Sequence, residues 1–437
     1  MKKRIINNKY LLYLLYKIKY KLNLIIIKIM SENDKTIVFE LSNFSKNLNL
    51  DYYLPHQSLF LNDTVDGVER ENFNSLYSTL YLLTNNKFLM GHFMNLNQDR
   101  LDSSLKIFFD MIQKLYDGIK NLKDLHQSKN SKDINSEEEK YYYSLMNDSI
   151  NGFKKTLKGK RIDPRYLIAE ILIQTIKTHK YYSFSNETSI KNSDVNNKIP
   201  IESEGSNSTE IILDFLPKNF SDSSLFSLSD NSQKSYENSF TLLNESQKTE
   251  IENNSKDIVI QVEVGDEKKY ICINFIIFKL EEDKIFKFED CFKNFLDNLA
   301  QSRIPKMKKK IFYKLPETLI ILLFFGKENE NPENRLYDFK EVIDFSENEY
   351  TNYLDENVRR KKYILSSLLS CKFPKKDNKF FYTFCRNNKN EYYMYNCMTK
   401  AVNEQKDVNN KLQKLETVND KSSTSYPYVL IYNEITN

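Results

Sequence analysis

The sequence predicts an α+β protein in which a helical lobe precedes a lobe built mainly of strands. Apolar residues recur at helical spacing from about 72 to 180, and they alternate with polar residues from 257 onward. The 437 residues are 40% hydrophobic and 13% aromatic, which is ample for a large buried core. We therefore expect a globular domain in which a helical layer packs on a β-sheet layer.

Residues 1–29 are apolar and basic at the same time. Lysines between positions 17 and 28 interrupt every apolar run, whereas a membrane span needs about 20 mostly apolar residues. A membrane-surface or targeting helix is one interpretation. The interpretation we favour is that Met30, rather than Met1, is the start, and that 1–29 is an extension outside the fold.

The clearest helical stripe lies within residues 104–122. Its apolar residues are three or four positions apart, so they line one face of a helix. They are Leu105, Phe108, Ile112, Leu115, Ile119 and Leu122. We expect that face to be buried.

Two further helices have recognisable starts. Ser136 and Glu139 form a capping box, in which each side chain satisfies a free backbone N–H of the first turn. Asp163 followed by Pro164 predicts another start, because aspartate accepts free N–H groups and proline fits the first turn. The apolar residues after it are Leu167, Ile168, Ile171, Leu172 and Ile176.

Two segments are too polar to pack. Residues 184–256 are rich in Ser, Asn, Asp, Glu and Lys, and we expect a disordered insertion there. Residues 403–424 are similarly polar and predict a flexible loop. The folded domain is therefore expected over 50–435, interrupted by these two segments.

The second half predicts strands. Ile258, Ile260, Val262 and Val264 alternate with Gln261 and Glu263, and V-G-D-E then leads into YICINFIIF as a hairpin. Further β-branched and aromatic runs suit a sheet. They lie at 315–325, 361–371, 379–387, 391–397 and 426–434.

Charge and cysteine usage exclude several classes of protein. The 64 basic and 60 acidic residues nearly cancel, so the chain lacks the strongly basic balance of a dedicated nucleic-acid binder. Its five cysteines are scattered, without a C-x-x-C pair, and the four histidines lie far from them. We therefore expect a reduced, intracellular protein with no zinc site and no other cofactor.

Four segments, in this order, resemble conserved segments of the ubiquitin-specific proteases (USP family). NFNSLYSTLYLLTNNKFLMGHF (72–93) resembles the box around the catalytic cysteine, and KRIDPRYLIAEIL (160–172) is similar to the Q-Q-D-A-x-E-F-L helix. FKFEDCFKNFLDNL (286–299) resembles the segment that feeds the fingers region, and YKLPETLIILL (313–323) resembles the central L-P-x-x-L-I-I-x-L strand. The resemblance implies a papain-like cysteine-protease fold, with a helical lobe packed on a large antiparallel sheet.

The catalytic positions of that family are replaced in this sequence. KFFYTFCRNNKNEYYMYNCMTKAV (379–402) resembles the histidine box of the family and the turn after it, and YPYVLIY (426–432) resembles its closing strand. With the first box, the resemblance puts Asn74 in the cysteine slot, Phe380 in the histidine slot, Asn396 in the third catalytic slot and Glu69 near the oxyanion slot. A cysteine protease needs a thiolate and an imidazole, and neither Asn74 nor Phe380 supplies one. A carboxylate at Glu69 would repel a developing oxyanion.

Each of these residues also has a purely structural interpretation. Asn74 would cap a helix, Phe380 would belong to the sheet core, and Asn396 would sit in a turn. A rescuing nucleophile such as Cys385 or Cys397 is a further alternative, although Cys385 fits better as a small buried hydrophobic residue.

Within the USP family, the chain most resembles the inactive, tri-snRNP-associated spliceosomal branch. Tyr53, Leu54 and Pro55 match the YLP before its first box, and KKIFYKLPETLI resembles its entry to the central strand, also without zinc cysteines. That branch carries an N-terminal zinc-finger ubiquitin-binding module, and residues 1–60 contain no cysteine and only His56, so we expect the module to be missing or replaced here.

The resemblance implies a catalytically inactive interaction scaffold. Its partners would be ubiquitin or spliceosomal proteins, and it would work in the nucleus if the splicing resemblance holds and in the cytoplasm otherwise. The alternative is a divergent active deubiquitinase, a cysteine-type ubiquitin thiolesterase. A peripheral membrane protein anchored through 1–29 has the least support.

Overall fold

The helices of the first half and the strands of the second half come together in one unit, seen in a computed structural model. The described residues all lie in this unit. They are 67–84, 86, 89–90, 93, 103–128, 136–156, 162–176, 243–244, 257–264, 266–280, 287–301, 307–325, 340–375, 378–386, 392–395 and 425–435. The predicted extension 1–29, the loop 403–424 and nearly all of the insertion 184–256 lie outside them.

Five α-helices form among the described residues. They are α1 (Gly67–Thr84), α2 (Ser103–Ser128), α3 (Ser136–Thr156), α4 (Pro164–Ile176) and α5 (Phe288–Gln301). The first four confirm the predicted helical lobe. The predicted starts at Ser136 and after Asp163 are also confirmed, and the Arg165 N–H donates to Asp163 Oδ1 at 2.9 Å as an aspartate cap should.

Helices α2 and α3 pack closely along their length. The predicted stripe of α2 is buried at Leu105, Phe108, Ile112 and Leu115, and the rings of Phe108 and Phe153 meet at 5.2 Å. The predicted stripe residues Ile119 and Leu122 have side chains outside the described set.

Alanine substitutions at two glycines of these helices should change the free energy of unfolding in opposite directions. A Cβ at Gly118 would lie 2.6 Å from Met146 Cγ, which is itself buried, whereas a Cβ at Gly152 would meet nothing within 4 Å. Gly118→Ala should lower the free energy of unfolding by about 1–2 kcal/mol through overpacking. Gly152→Ala should raise it by about 0.5–1 kcal/mol, because alanine favours the helix. Urea unfolding of both variants measures the difference, and equal responses would contradict the close approach of the two helices.

The strands form two sheets. The strands are β1 (Leu243–Asn244), β2 (Ile258–Val264), β3 (Glu267–Ile273), β4 (Ile276–Leu280), β5 (Met307–Lys314), β6 (Thr318–Phe325), β7 (Val342–Asp344), β8 (Lys362–Lys375), β9 (Asn378–Arg386), β10 (Tyr392–Tyr395) and β11 (Ser425–Glu434). The smaller sheet has the order β1-β3-β2-β5, and the larger has β10-β9-β8-β11-β6-β4 with β7 beside β8.

The larger sheet is mixed rather than purely antiparallel. Strand β4 runs parallel to β6, with Ile276 opposite Ile321, whereas the other strand pairs among the described residues are antiparallel. The expectation of an antiparallel sheet is therefore wrong at this edge. The reason is the chain path: β4 and β6 are joined through α5 and β5, and a parallel neighbour needs such a long crossover.

The predicted hairpin is confirmed, but the run YICINFIIF is divided between two strands, β3 of the smaller sheet and β4 of the larger sheet. Val264 pairs with Glu267, only three positions further along the chain, so β2 and β3 are consecutive antiparallel strands. The chain then leaves β3 at Asn274, whose Nδ2 donates to Leu172 O at 2.6 Å, and enters the larger sheet as β4.

Strand β2 departs from the predicted alternation. Val259 and Gln261 are buried along with Ile258, Ile260 and Val262, whereas Val264 of the predicted face is only partly buried. Val259 packs with Tyr270 and Cys272 on the other side of the smaller sheet. Within the predicted insertion, Leu243 and Asn244 form a two-residue strand that pairs with Tyr270 and Lys269.

Helix α5 was not predicted from the sequence, and it brings an ion pair to the larger sheet. Glu289 pairs with Lys340 and accepts a hydrogen bond from Tyr350 Oη at 3.1 Å. Burial alone would raise the pKa of Glu289, but the hydrogen bonds from Lys340, a backbone N–H and Tyr350, together with the charge of Lys340, hold this pKa below the ordinary 4.5.

The Glu289–Lys340 pair predicts acid sensitivity. A carboxylate with a lowered folded pKa contributes stability that is present above its unfolded pKa and lost as the pH falls through the folded value. The stability difference between wild type and Lys340→Met should therefore be largest above about pH 5 and shrink toward pH 3.5. Urea unfolding across this range measures it, with Glu347→Gln as the control because Glu347 is half exposed. A constant difference would contradict the pairing.

Candidate functional site

Asn74 of α1 links the helical lobe to strand β9 of the larger sheet. Its Nδ2 donates to Phe381 O at 3.1 Å, and its Oδ1 accepts the Phe381 N–H at 2.5 Å. One side-chain amide thus satisfies both backbone groups of one strand residue, as a neighbouring antiparallel strand would. Asn74 is 1% exposed, so both bonds are shielded from water.

The next two turns of α1 continue this contact along β9. Ser78 Oγ donates to Phe381 O at 3.2 Å, Thr383 Oγ1 donates to Ser78 O at 2.7 Å, and Cys385 Sγ lies 3.8 Å from Tyr81 O. Residues four and seven positions apart share a helix face, and alternate strand residues share a sheet face. We call this set the α1–β9 seam: Asn74, Ser78 and Tyr81 on α1 with Phe381, Thr383 and Cys385 on β9. The two elements of the seam are joined by direct hydrogen bonds.

Asn74 does not lie at the start of a helix, as its interpretation as a helix cap requires. Helix α1 begins at Gly67, seven residues before Asn74, so the interpretation of Asn74 as a helix cap is wrong. The free N–H groups of a helix belong to its first turn, and Asn74 lies beyond that turn. Its amide therefore bonds sideways to β9 instead of along its own helix.

The other predicted site residues are only partly described. Phe380 lies in β9 opposite Lys372 of β8, next to the residue that Asn74 binds. Its side chain is outside the described set, as is that of Glu69 in the first turn of α1. Asn396 lies outside the described residues altogether. The structure thus brings the Asn74 and Phe380 slots to neighbouring positions.

Sequence reasoning missed Ser78 and Thr383. Each is a small polar residue within an apolar segment and almost fully buried, at 1% and 0% exposed. A signal was present, because a buried hydroxyl must find a hydrogen-bond partner. Without the pairing of α1 with β9, that partner could not be named.

The described cysteines are buried thiols: Cys272, Cys291, Cys371 and Cys385. Burial raises the pKa of Cys385 to about 12. Burial, with the negative charges of Asp290 and Glu289, raises the pKa of Cys291 to about 12 as well. The expectation that Cys385 is a small buried hydrophobic residue is confirmed.

These four thiols should be unreactive in the folded protein. Only the thiolate is nucleophilic, and burial suppresses both its formation and its exposure. At pH 8, an aromatic disulfide reagent that releases a coloured thiolate should modify at most one of the five cysteines, and all five after unfolding in urea. Cys397→Ser should leave no reactive thiol in the native state. Fast modification of Cys385 in that variant would contradict its burial.

A second polar cluster lies beside the α1–β9 seam and is centred on Arg165. Its guanidinium binds both carboxylate oxygens of Asp163, at 3.0 and 2.6 Å, and Nη1 donates to Leu323 O at 3.0 Å. The Tyr428 ring lies 4.0 Å from its Cζ and also packs on Phe381 at 5.6 Å. The cluster thus links α4 with the larger sheet.

Neither a metal-binding cluster nor a membrane-spanning helix is present among the described residues. Over the part of the chain that the structure describes, no group of three or more His, Cys, Asp or Glu side chains could hold a metal ion. Within the same part, every helix is too short or too polar to cross a membrane.

Comparison with known proteins gives structural likeness at low identity. No family model matches the chain. No curated protein sequence matches it either. The SAGA DUB module of Ubp8, Sgf11, Sus1 and Sgf73 bound to monoubiquitin is 13% identical, with a TM-score of 0.42, over 87% of this chain and 70% of that one.

Two other solved structures are similar to a comparable extent. A SAGA DUB module with a Ubp8 variant is 12% identical, with a TM-score of 0.39, over 87% of this chain and 69% of that one. A yeast SAGA DUB module with a mutant Sgf73 is 14% identical, with a TM-score of 0.39, over 85% and 68%.

Proposed function

We propose that this protein is a non-catalytic relative of the ubiquitin-specific proteases that acts as a protein-interaction scaffold. The α1–β9 seam carries the proposal. In the family that the sequence resembles, the nucleophile and its base face each other where the helical lobe meets the sheet. Here the amide of Asn74 and the hydroxyls of Ser78 and Thr383 are bonded to backbone groups and hold the helix on the strand.

The chemistry of the seam residues supports the same conclusion. An amide is neither a nucleophile nor a base at neutral pH, so Asn74 cannot replace a thiolate. The hydroxyls of Ser78 and Thr383 have no imidazole beside them among the described residues, and a hydroxyl without a base is a weak nucleophile. Cys385, on the same strand, holds its proton because its pKa is about 12.

The alternative function, a divergent deubiquitinase, would depend on Cys397. The other four cysteines are buried, whereas Cys397 lies outside the described residues. This alternative therefore makes a definite prediction about which residue would react.

A ubiquitin that carries a thiol-reactive group at its C terminus distinguishes the two functions. The scaffold proposal expects no covalent adduct in the intact mass of the protein, while an active deubiquitinase in a parallel reaction is fully modified. An adduct that forms with wild type and is absent with Cys397→Ser would establish the alternative. The variant locates the adduct, because its four remaining cysteines are buried. The same thiol-reactive group without ubiquitin controls for non-specific alkylation and should give no adduct at Cys397.

The partner is proposed from the sequence resemblance alone. Tyr53, Leu54 and Pro55 with the KKIFYKLPETLI segment suggest the tri-snRNP-associated branch, and hence spliceosomal proteins, and a nuclear location. Native purification of the tagged full chain from nuclear extract, followed by mass spectrometry, tests this setting. We expect tri-snRNP proteins at near-stoichiometric amounts. Their absence from a preparation that retains other partners would contradict the splicing role but not the proposal that the protein is an interaction scaffold.

A further inference from the structure

Arg165 is a fully buried cation at the junction of α4 with the larger sheet. Its side chain is 0% exposed, and it is the bulkiest of the side chains that are almost completely buried. Removing a charge from water costs several kcal/mol, so such a group persists only where the surroundings compensate it. The environment of Arg165 must therefore match a guanidinium group closely.

The surroundings of Arg165 come from three separate parts of the chain. Asp163, just before α4, contributes two carboxylate oxygens, and Leu323 in β6 contributes a backbone carbonyl. The rings of Tyr428 in β11 and Phe324 in β6 lie 4.0 and 4.6 Å from Cζ. We call this set the Arg165 cage: Asp163, Leu323 O, Phe324 and Tyr428.

The geometry of the Arg165 cage is selective for a planar cation. Two parallel hydrogen bonds to one carboxylate fit the fork of a guanidinium, which presents its donors in one plane. The aromatic faces attract a positive charge. An ammonium group would lose the two-point contact, and a neutral planar group would lose the attraction to the carboxylate and the rings.

We propose that the Arg165 cage is a guanidinium-binding site whose ligand is the chain's own Arg165. The site is built from α4, β6 and β11, so filling it fixes the helix on the sheet. Asp163 is 16% exposed, which gives the cage one side that reaches solvent. An arginine of another protein would have to displace Arg165 to use the site. The inference depends on these contacts alone and not on the proposed function.

Removing the internal ligand tests the site directly. Arg165→Ala retains Cβ and deletes the remaining two methylenes and the guanidinium, so ethylguanidinium is the matching free ligand. At 10 mM it should raise the melting temperature of Arg165→Ala by about 2–4 °C and leave wild type unchanged, because a ligand that binds only the folded state stabilises it. Ethylurea, which is planar but neutral, and propylammonium, which is charged but not planar, should give shifts below a third of this.

Three results would overturn the inference. They are an equal shift in wild type, an equal shift with ethylurea or with propylammonium, and no shift with ethylguanidinium. Arg165→Met is the matched control, because its unbranched apolar side chain fills the space and should make the protein insensitive to ethylguanidinium. If Arg165→Ala does not fold alone, refolding it with ethylguanidinium should restore soluble protein. Failure to do so, while Arg165→Met refolds, would equally contradict a guanidinium site.

Discussion

Asp163→Asn should lower the free energy of unfolding by about 3–5 kcal/mol, the largest effect we expect from a single substitution, because it leaves a buried cation without its counter-ion. Arg165 is completely buried, and both of its bonds to a carboxylate end on Asp163. Asparagine keeps the size of the side chain and an oxygen that can cap α4, so the helix start is preserved. The change therefore removes the negative charge and one of the two acceptors of the guanidinium while the helix cap stays. Urea unfolding at pH 7 measures it.

A double variant separates the lost ion pair from the lost packing. Arg165→Met alone removes the cation and leaves the Asp163 carboxylate partly exposed, which is a smaller penalty than a bare buried cation. Combining Asp163→Asn with Arg165→Met should recover at least half of the stability lost in Asp163→Asn, because no uncompensated charge remains. If the double variant is less stable than Asp163→Asn, the charge is not the source of the effect.

Asn74→Ala should lower the free energy of unfolding by about 2–3 kcal/mol, because it leaves the buried N–H of Phe381 without its acceptor, Asn74 Oδ1. Phe381 O would still receive the bond from Ser78 Oγ, so the loss falls mainly on the N–H. The better helix propensity of alanine returns only a few tenths of a kcal/mol, about 0.5 at most. Urea unfolding measures the net loss.

Two further substitutions in the α1–β9 seam provide the controls. Ser78→Ala removes one of the two side-chain donors to Phe381 O and should cost only about 0.5–1.5 kcal/mol. Asn74→Asp can still accept the Phe381 N–H, but its carboxylate faces Phe381 O and cannot donate, which raises the folded pKa of the aspartate. Its stability deficit should therefore be smallest below about pH 4 and grow as the pH rises. A deficit independent of pH would contradict the paired hydrogen bonds.

Local patterns in the sequence were enough to predict several elements and their burial. The start of α4 follows from Asp163 and Pro164, because capping and the fixed backbone of proline act within one turn. The stripe of α2 follows from helical spacing, and the hairpin of β2 and β3 follows from the Gly-Asp turn. These features depend on residues a few positions apart, which the sequence displays directly.

The site depended on contacts between residues that are far apart in the sequence. The family resemblance singled out Asn74, and its sequence position suggested a helix cap. Its hydrogen bonds to Phe381 depend on the packing of α1 against β9, which the sequence does not show. Nothing in the sequence distinguished Arg165 from the other basic residues, but in the fold its guanidinium lies between a carboxylate and two aromatic rings.

Sequence patterns alone predict the α+β class, a helical first half before a second half built mainly of strands, and the burial of Cys385. The parallel pairing of β4 with β6, the direct contacts of the α1–β9 seam and the enclosure of Arg165 are seen only in the folded protein. Hydrogen bonds and ion pairs gain most of their strength where water is excluded. Water is excluded only after distant segments have packed, and a linear pattern does not show which segments those are.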